Sequence, residues 1–280
     1  MPSYEAVPAH TDGVGVYDIS LGNTVINSMG TWVQCVASSG IDCASFWVYP
    51  LQQGGVVSAL MNIGTGAGGA ETVLIQEILV QNGSSQLCIG TISAKYYADI
   101  SSSTRIAAQM QNNSVFQALR MAMMLIGDST EGLATPTTYG SLAASSHGTQ
   151  IDPGAVINMK GTYVQLTASS AALHQYVTTI FGNNVNTTPQ LNIWASDVSI
   201  GAGGAEVVII PDIKFIADTV ADNIFPAGTF WHVDDIPAST RIAVDSATNT
   251  TNATDRLFDV VLICGEVPTV VTAGGSAHVF

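Results

Sequence analysis

The sequence contains three blocks that occur twice in the same order. A Val-Ile-Asn block that continues through Gly-Thr and Val-Gln returns 131 positions later, the block Gly-Ala-Gly-Gly-Ala-Glu returns after 135, and a block ending in Ser-Thr-Arg-Ile-Ala returns after 136 (residues 25–34 and 156–165, 66–71 and 201–206, 99–107 and 235–243). Because the offset changes so little, the halves share one topology with small loop insertions. Units of about 140 residues can each bury a core. The sequence therefore predicts a duplicated domain with two separate cores.

The composition favours strands. Hydrophobic residues make up 47% of the chain and charged residues only 10%, which disfavours long exposed helices. Short strand-like segments bounded by Gly, Ser and Asn recur in both halves. Residues 116–126 have a helix-favouring composition, but their counterpart at 259–264 is a β-branched run, so a strand is expected in both places. The prediction is an all-β chain of two tandem jelly-roll-like antiparallel β-sandwich domains.

The domain boundaries follow from where the repeats begin and end. We expect an N-terminal arm, a first sandwich, a linker, a second sandwich and a C-terminal tail, at residues 1–16, 17–127, 128–148, 149–266 and 267–280. The arm and the linker lie outside the repeats and have no core of their own to join. They are therefore predicted to make contacts between subunits.

The charge balance excludes several classes of partner. The net charge is -14 and the seven Lys and Arg residues are scattered, so neither nucleic acid nor an anionic membrane surface is an expected partner. No apolar run reaches the roughly 18 residues that span a bilayer. The first residues carry no secretion signal, which predicts synthesis in the cytoplasm of a host cell.

No cofactor or metal is expected. Residues 64–69 satisfy G-x-G-x-x-G, but a strand-like run follows them instead of a helix, so the glycines are read as a bend before a core strand. Cys35 aligns with Leu166, and Cys264 aligns with Ile126 if the closing segments are matched on Gly127 and Gly265. A cysteine that exchanges with an aliphatic residue is typical of a small buried side chain, so reduced thiols are predicted.

The repeated charges are the candidate site residues. Arg105 and Arg241 occupy matching positions, and so do Glu71 and Glu206, although cationic residues are rare in this chain. We expect each arginine to lie at the edge of its sandwich and to pair with a carboxylate or with loop carbonyls, which would fix the capping loops. The alternative is a paired ligand site.

A catalytic role finds little support in the sequence. The doublet Asp234-Asp235 is a tempting carboxylate pair, but adjacent residues of a strand point to opposite faces. No G-x-S-x-G elbow occurs, and no Ser, His and Asp set recurs in both halves. The chain is therefore predicted not to be an enzyme, and a polysaccharide depolymerase is the remaining catalytic alternative.

Three segments of the second half carry a resemblance to a known family. A glycine-rich turn that ends in Glu and enters an Ile/Val strand is followed by Ile-Pro-Ala-Ser-Thr-Arg-Ile-Ala and by a closing strand ending in Gly (residues 201–210, 236–243 and 259–265). This pattern resembles a repeat of virion structural proteins of tailed bacteriophages. The chain departs from it at Ser239, where the resemblance implies glycine, and at Ser101-Ser102, which replace Pro-Ala.

The resemblance implies a noncatalytic virion component, most simply a capsid decoration or cement protein or a head fibre. Its partners would be other virion proteins, either the major capsid protein or tail and neck proteins. We also expect a homo-oligomer, with a trimer as the preferred form. The alternative is a tail-fibre or neck accessory protein that binds glycans or a receptor on the host surface, using Trp47, Trp194 or Trp231 as stacking platforms.

Overall fold

A computed structural model describes most of the chain. The described residues are 3–7, 19–53, 57–82, 94–114, 118–127, 133–183, 191–217, 224–225, 228–268, 270–271 and 277–278. Within these ranges every regular element is a strand, and none is a helix that could cross a membrane. The all-β prediction is confirmed, and residues 118–126, the described part of the helix-favouring segment, form the expected strand.

The described part of the first half forms two antiparallel sheets. Its strands are β1 (Ser3–Val7), β2 (Ile19–Gly22), β3 (Val33–Val36), β4 (Cys43–Gln53), β5 (Val57–Thr65), β6 (Thr72–Asn82), β7 (Ala94–Ile100), β8 (Ile106–Asn112) and β9 (Ala118–Gly127). Sheet A has the order β1-β9-β4-β7 with β2 also paired to β9, and sheet B has the order β3-β8-β5-β6. From β2 onward, successive strands alternate between the sheets except at the β5–β6 hairpin, which is the topology of a jelly roll.

The second half repeats this plan. Its strands are β10 (Thr137–Tyr139), β11 (Ser141–Leu142), β12 (His147–Ile151), β13 (Val164–Thr167), β14 (His174–Asn183), β15 (Asn192–Ile200), β16 (Val207–Ala217), β17 (Ile224–Phe225), β18 (Gly228–Ile236), β19 (Ile242–Thr248) and β20 (Phe258–Gly265). Sheet C contains β11-β12-β20-β14-β18 with β10 paired to β20, and sheet D has the order β13-β19-β15-β16-β17. The prediction of two tandem jelly rolls is confirmed. A short pair follows, β21 (Val270–Val271) with β22 (Ala277–His278).

The repeated unit begins earlier than the sequence blocks indicate. In the first half β1 and β2 lie end to end along β9, and in the second half β10 and β12 lie in the same way along β20. The described part of the N-terminal arm is thus the first strand of its own sandwich. Strands β10 and β11 and the start of β12, which lie in the 128–148 segment, likewise belong to sheet C, so the expectation that these segments have no core to join is wrong for them. Edge strands pair through their backbone, which tolerates sequence change and hid the repeat.

The closing strands align differently from the sequence comparison. Ser45 pairs with Ile126, whereas the equivalent Tyr176 pairs with Gly265. Cys264 therefore occupies the place of Leu125, one residue from the position that matching Gly127 to Gly265 gives. The prediction of a small buried thiol is unaffected, since Cys35, Cys43 and Cys264 are all free and buried. Burial raises the pKa of the Cys35 thiol to about 12, so it stays protonated.

The two sandwiches share one continuous core instead of the two that were expected. Strand β6 of sheet B contacts β10, β14 and β20 of sheet C, and one apolar cluster runs through both halves. The chain is thus a stack of four layers in the order A, B, C, D. The physical reason is that the outer faces of sheets B and C are themselves apolar, so the sandwiches bury them against each other.

The paired residues of the inner layers show this contact. Leu60 pairs with Leu79 and with Gln111 on the outer face of sheet B, both leucines are fully buried, and Gln111 donates to the Ala143 carbonyl oxygen at 2.6 Å. Sheet C also reaches the edge of sheet A, where the Thr178 hydroxyl donates to the Lys95 carbonyl oxygen of β7 at 3.2 Å. Further bonds cross the boundary, including Ser58 to Ser146 O, Thr138 to Gln76 O and Ser146 to Asn27 Oδ1.

Candidate functional site

The repeated arginines hold the β5–β6 and β15–β16 turns. Arg105 Nη1 lies 2.8 Å from Glu71 Oε1 and 3.1 Å from the Gly66 carbonyl oxygen, and its Nε donates to Gln34 Oε1 at 3.1 Å. Both charged side chains are largely withdrawn from solvent, at 18% exposure for the arginine and 2% for the glutamate. The guanidinium therefore joins three segments: the turn, the start of β6 and strand β3.

The second half builds the same network. Arg241 Nη1 lies 3.0 Å from Glu206 Oε1 and 3.2 Å from the Gly201 carbonyl oxygen, and its Nε donates to Gln165 Oε1 at 3.0 Å. The structure thus pairs the residues that the sequence singled out, Arg105 with Glu71 in the first half and Arg241 with Glu206 in the second. The two glutamines were missed as partners, although they belong to the first repeated block and could have been found there.

The glutamates also organise the glycine turns. Gly69 N–H donates to Glu71 Oε2 at 2.9 Å, and Gly204 N–H donates to Glu206 Oε2 at 2.8 Å. Gly66 and Gly201 adopt φ values of 114° and 104°, which require glycine. The repeated GAGGAE block is therefore a turn closed by its own glutamate, and no helix follows that could bind a pyrophosphate.

The pKa of each glutamate is held below its ordinary value. For Glu71, desolvation raises the pKa, but bonds from its own and the Gly69 backbone N–H groups and from Arg105 outweigh it. For Glu206, its own backbone N–H is the largest cause, with Gly204 and Arg241 adding to the effect. Both pairs are therefore ionised at neutral pH, and Nε and Nη1 of each arginine are bonded within the chain.

A second matched feature lies at a bulge of the same hairpins. Glu77 and Asp212 have positive φ values of 56° and 49°, and their N–H groups donate at 2.7 Å to Asn62 Oδ1 and Asp197 Oδ1 respectively. The sequence did not predict this feature, because the acceptor is Asn62 in the first half and Asp197 in the second. Neither the residue type nor the charge of the acceptor is therefore repeated.

The second copy of the bulge is charged. Lys160 Nζ lies 2.6 Å from Asp197 Oδ1, 3.2 Å from Asp212 Oδ1 and 4.0 Å from Asp245 Oδ1. Desolvation acts to lower the pKa of Lys160, but its hydrogen bonds to Asp197 and Asp212 raise it overall. Burial raises the pKa of Asp245 to about 6, against the opposing charge of Lys160. The lysine occupies the centre of the carboxylates, and no group of His, Cys, Asp or Glu within the described ranges is arranged to hold a metal ion.

A third matched feature is exposed and apolar. Val25 and Ile26 are 60% and 50% exposed, and their counterparts Val156 and Ile157 are 56% and 47% exposed. Each pair ends at an asparagine with positive φ, whose N–H donates to a strand carbonyl at 2.8 Å (Asn27 to Asn112 O, and Asn158 to Thr248 O). These turns, which we name the Val-Ile turns, are built identically in both halves.

The tryptophans do not form one platform. Trp194 is fully buried, stacks on Phe215 at 5.2 Å and donates its Nε1–H to the Arg256 carbonyl oxygen at 2.9 Å. Trp231 is half-buried and donates to Thr179 Oγ1 at 3.2 Å. Trp47 is half-buried on the outer face of sheet A. Of the three suggested stacking residues, the buried Trp194 is thus unable to bind a sugar.

The acidic doublet shows no catalytic arrangement. Asp234 and Asp235 are both exposed on β18, and Asp235 Oδ1 accepts a bond from Gln175 Nε2 at 3.0 Å.

Ser239, which departs from the family pattern, lies in the left-handed region. Its φ is 65°, and the equivalent Ser103 has a φ of 64°. Both donate their N–H to a matching serine carbonyl oxygen, Ser170 O at 2.8 Å and Ser39 O at 2.7 Å. A glycine is favoured at such a φ, so the departure keeps the turn at a cost in backbone strain.

Comparisons with known proteins leave the family open. No protein-family model matches the chain, and no curated protein matches it. Among solved structures, the structure of PNGF-II in a C2 space group is similar with a TM-score of 0.40 at 10% identity, over 97% of this chain and 66% of that one. The N-terminal CBM22-1–CBM22-2 tandem domain of Xyn10C from Paenibacillus barcinonensis has a TM-score of 0.21 at 9% identity, over 94% of this chain and 91% of that one. Likenesses this low carry no argument about function.

Proposed function

We propose that the chain is a noncatalytic structural component of a bacteriophage virion that binds the outside of the capsid as a decoration or cement protein or as a head fibre. The family resemblance of the glycine turn and the Ser-Thr-Arg-Ile-Ala segment suggests the class. The repeated arginines and glutamates serve the fold itself. What the molecule offers to a partner is therefore its exposed apolar surface.

The Val-Ile turns are the observation that carries the proposal. Exposed aliphatic pairs are not required by the turn, since the asparagine and the backbone bonds define its shape. Their presence in both copies is best explained by a contact outside the chain. Because the sandwiches are joined by one core, the two turns are held at a fixed separation.

A particle surface with repeated sites suits two identical turns on a rigid body. Binding of the first turn makes binding of the second intramolecular, so two weak contacts give a stable attachment. The net charge of -14 keeps the unattached chain soluble in spite of its apolar tips.

The test uses capsids assembled without this chain. Replacement of all four aliphatic residues of the Val-Ile turns by serine should abolish co-sedimentation with these capsids, and replacement in one turn alone should leave a weaker, partial occupancy. Leu142→Ser is the matched control, since this residue is also an exposed aliphatic, at 47% exposure. Capsid binding by the fourfold variant at the level of the unmodified chain, or no binding by the unmodified chain, would contradict the proposal.

A host-surface binding module is the second candidate. The observation that favours it is the outer face of sheet A, where Trp47 and Tyr49 lie half-buried on one face of β4. Aromatic rings in that position can stack on sugar faces. Binding of the isolated chain on a glycan array, lost in Trp47→Ala and kept in Trp231→Ala, would favour this candidate over capsid attachment.

A further inference from the structure

Sheets B and C form a contact between two homologous sandwiches that uses different faces of each. The first sandwich contributes the outer face of sheet B together with β7, the edge strand of sheet A, and the second contributes the outer face of sheet C. Such a contact is heterologous, in contrast to the twofold contact of a symmetric dimer. It leaves one face of each type unused at the ends of the stack: sheet D, which is homologous to sheet B, and sheet A, which is homologous to sheet C.

Each position on the outer face of sheet A has an equivalent position on the buried outer face of sheet C, although the side chains differ. In sheet C, Thr178 pairs with Ile263 and Ile180 pairs with Val261, and all four are fully buried under the first sandwich. In sheet A the same register places Trp47 beside Met124 and Tyr49 beside Ala122. These four side chains are half-buried, and Tyr4 at the edge is 63% exposed.

The outer face of sheet D matches sheet B in the same way. Ser58 N–H donates to Asn113 Oδ1, and Ile193 N–H donates to Asn249 Oδ1, so Ile193 occupies the position of Ser58. Ser58 is buried at the contact with the second sandwich, whereas Ile193 is 40% exposed.

The next row of this face shows the same difference. Leu79 is fully buried in sheet B, and its counterpart Lys214 is exposed. Ile216, which pairs with Ile193, is 37% exposed and adjoins an exposed Leu191. Sheet D therefore presents aliphatic side chains at the place where sheet B makes its contact.

We propose that a second copy of this chain covers these faces, with sheet D of one copy packed on sheet A of the next. The contact inside the chain joins the same two surface types, with other side chains at the equivalent positions. Arg120 is exposed on sheet A, whereas at sheet D the carboxylates of Asp197, Asp212 and Asp245 outnumber the ammonium groups of Lys160 and the exposed Lys214, so the two end faces differ in charge. Repetition of a head-to-tail contact gives a closed ring where the rotation permits and a filament otherwise. This self-association does not depend on the proposed capsid role.

Two variants each disable one face. Ile193→Asp with Ile216→Asp disables sheet D, and Met124→Asp disables sheet A. Each should remain folded by circular dichroism and should weaken self-association by about a hundredfold or more, because a carboxylate would have to lose its water in the contact. Val73→Asp is the control, since Val73 is 38% exposed but lies on neither end face.

The decisive measurement mixes the two variants. Each alone should sediment as a monomer in analytical ultracentrifugation, and an equimolar mixture should form a dimer that grows no further, because only one intact face of each kind remains between the two chains. Unmodified protein should form larger assemblies with rising concentration. A monomeric unmodified chain, variants that still assemble singly, or a mixture that stays monomeric would overturn the inference. The experiment contains no capsid, so its outcome is separate from that of the capsid test.

Discussion

Removal of the Leu79 side chain tests whether the two sandwiches are one cooperative unit. Leu79 is fully buried on the outer face of sheet B, and its environment combines its own sheet with the facing second sandwich. Truncation of a buried leucine removes about 2–5 kcal/mol through lost burial and the cavity left behind. Leu79→Ala is therefore expected to lower the free energy of unfolding by about 3 kcal/mol.

The duplication supplies a matched control at the equivalent position. Lys214 occupies the same place in sheet D but is exposed, so Lys214→Ala should change stability by no more than about 0.5 kcal/mol. With a urea dependence of about 3 kcal/mol per molar, Leu79→Ala should move the unfolding midpoint by about 1 M.

The assay is urea unfolding followed by tryptophan fluorescence and by far-ultraviolet circular dichroism. With Trp32 and Trp47 of the first sandwich replaced by phenylalanine in every variant, Trp194 and Trp231 make the fluorescence report on the second sandwich, whereas the dichroism reports on both. Because Leu79 belongs to the first sandwich, a shared core predicts that both probes shift together in the variant. A fluorescence midpoint that stays in place while part of the dichroism shifts would refute the single core, and equal effects of Leu79→Ala and Lys214→Ala would refute the buried contact.

Three other predictions concern pH and local geometry. Burial lowers the pKa of His174 to about 4, so the unfolded chain binds more protons between pH 6.5 and 4, and stability from this group falls on acidification. Asp245, with a folded pKa of about 6, has the opposite effect between pH 6 and 3.8. On acidification the melting temperature should therefore fall more steeply in Asp245→Asn, and less steeply in His174→Gln, than in the unmodified chain. Parallel profiles of melting temperature against pH would contradict this. Gly148→Ala should cost about 1–3 kcal/mol in urea unfolding, since the new Cβ would lie 2.8 Å from a backbone oxygen of β20. Gly203→Ala should be neutral, because its new Cβ would lie 4.0 Å from a side-chain oxygen of Glu206. Arg241→Lys should lower the melting temperature in calorimetry, because an ammonium cannot reproduce the planar set of three contacts, and an unchanged transition would argue against the role of the guanidinium.

The duplicated jelly rolls could be predicted because both halves keep the same residues at positions where the backbone conformation or an ion pair requires them. The glycines with positive φ and the paired arginines and glutamates are such positions, and the bend predicted at residues 64–69 is the turn between β5 and β6. The edge strands β1 and β10 were not found, because they contribute mainly backbone hydrogen bonds that many side chains allow.

The shared core was missed for a different reason. Strand β20 is apolar without interruption from Val260 to Cys264, a pattern typical of a strand buried on both faces. Its counterpart β9 is also largely apolar, although alternate residues are only half-buried. The sequence thus indicates which sheet faces are apolar. Which of these faces pack against each other depends on the three-dimensional arrangement of the two sandwiches.

The layer contact between sheets B and C has a consequence for behaviour on dilution. Both of its surfaces belong to one polypeptide, so their encounter is governed by a fixed local concentration and not by how many molecules are present. Two separate jelly-roll chains held together by the same surfaces would dissociate as the protein concentration falls. Covalent linkage removes that dependence on concentration, so the two sandwiches stay together at any dilution.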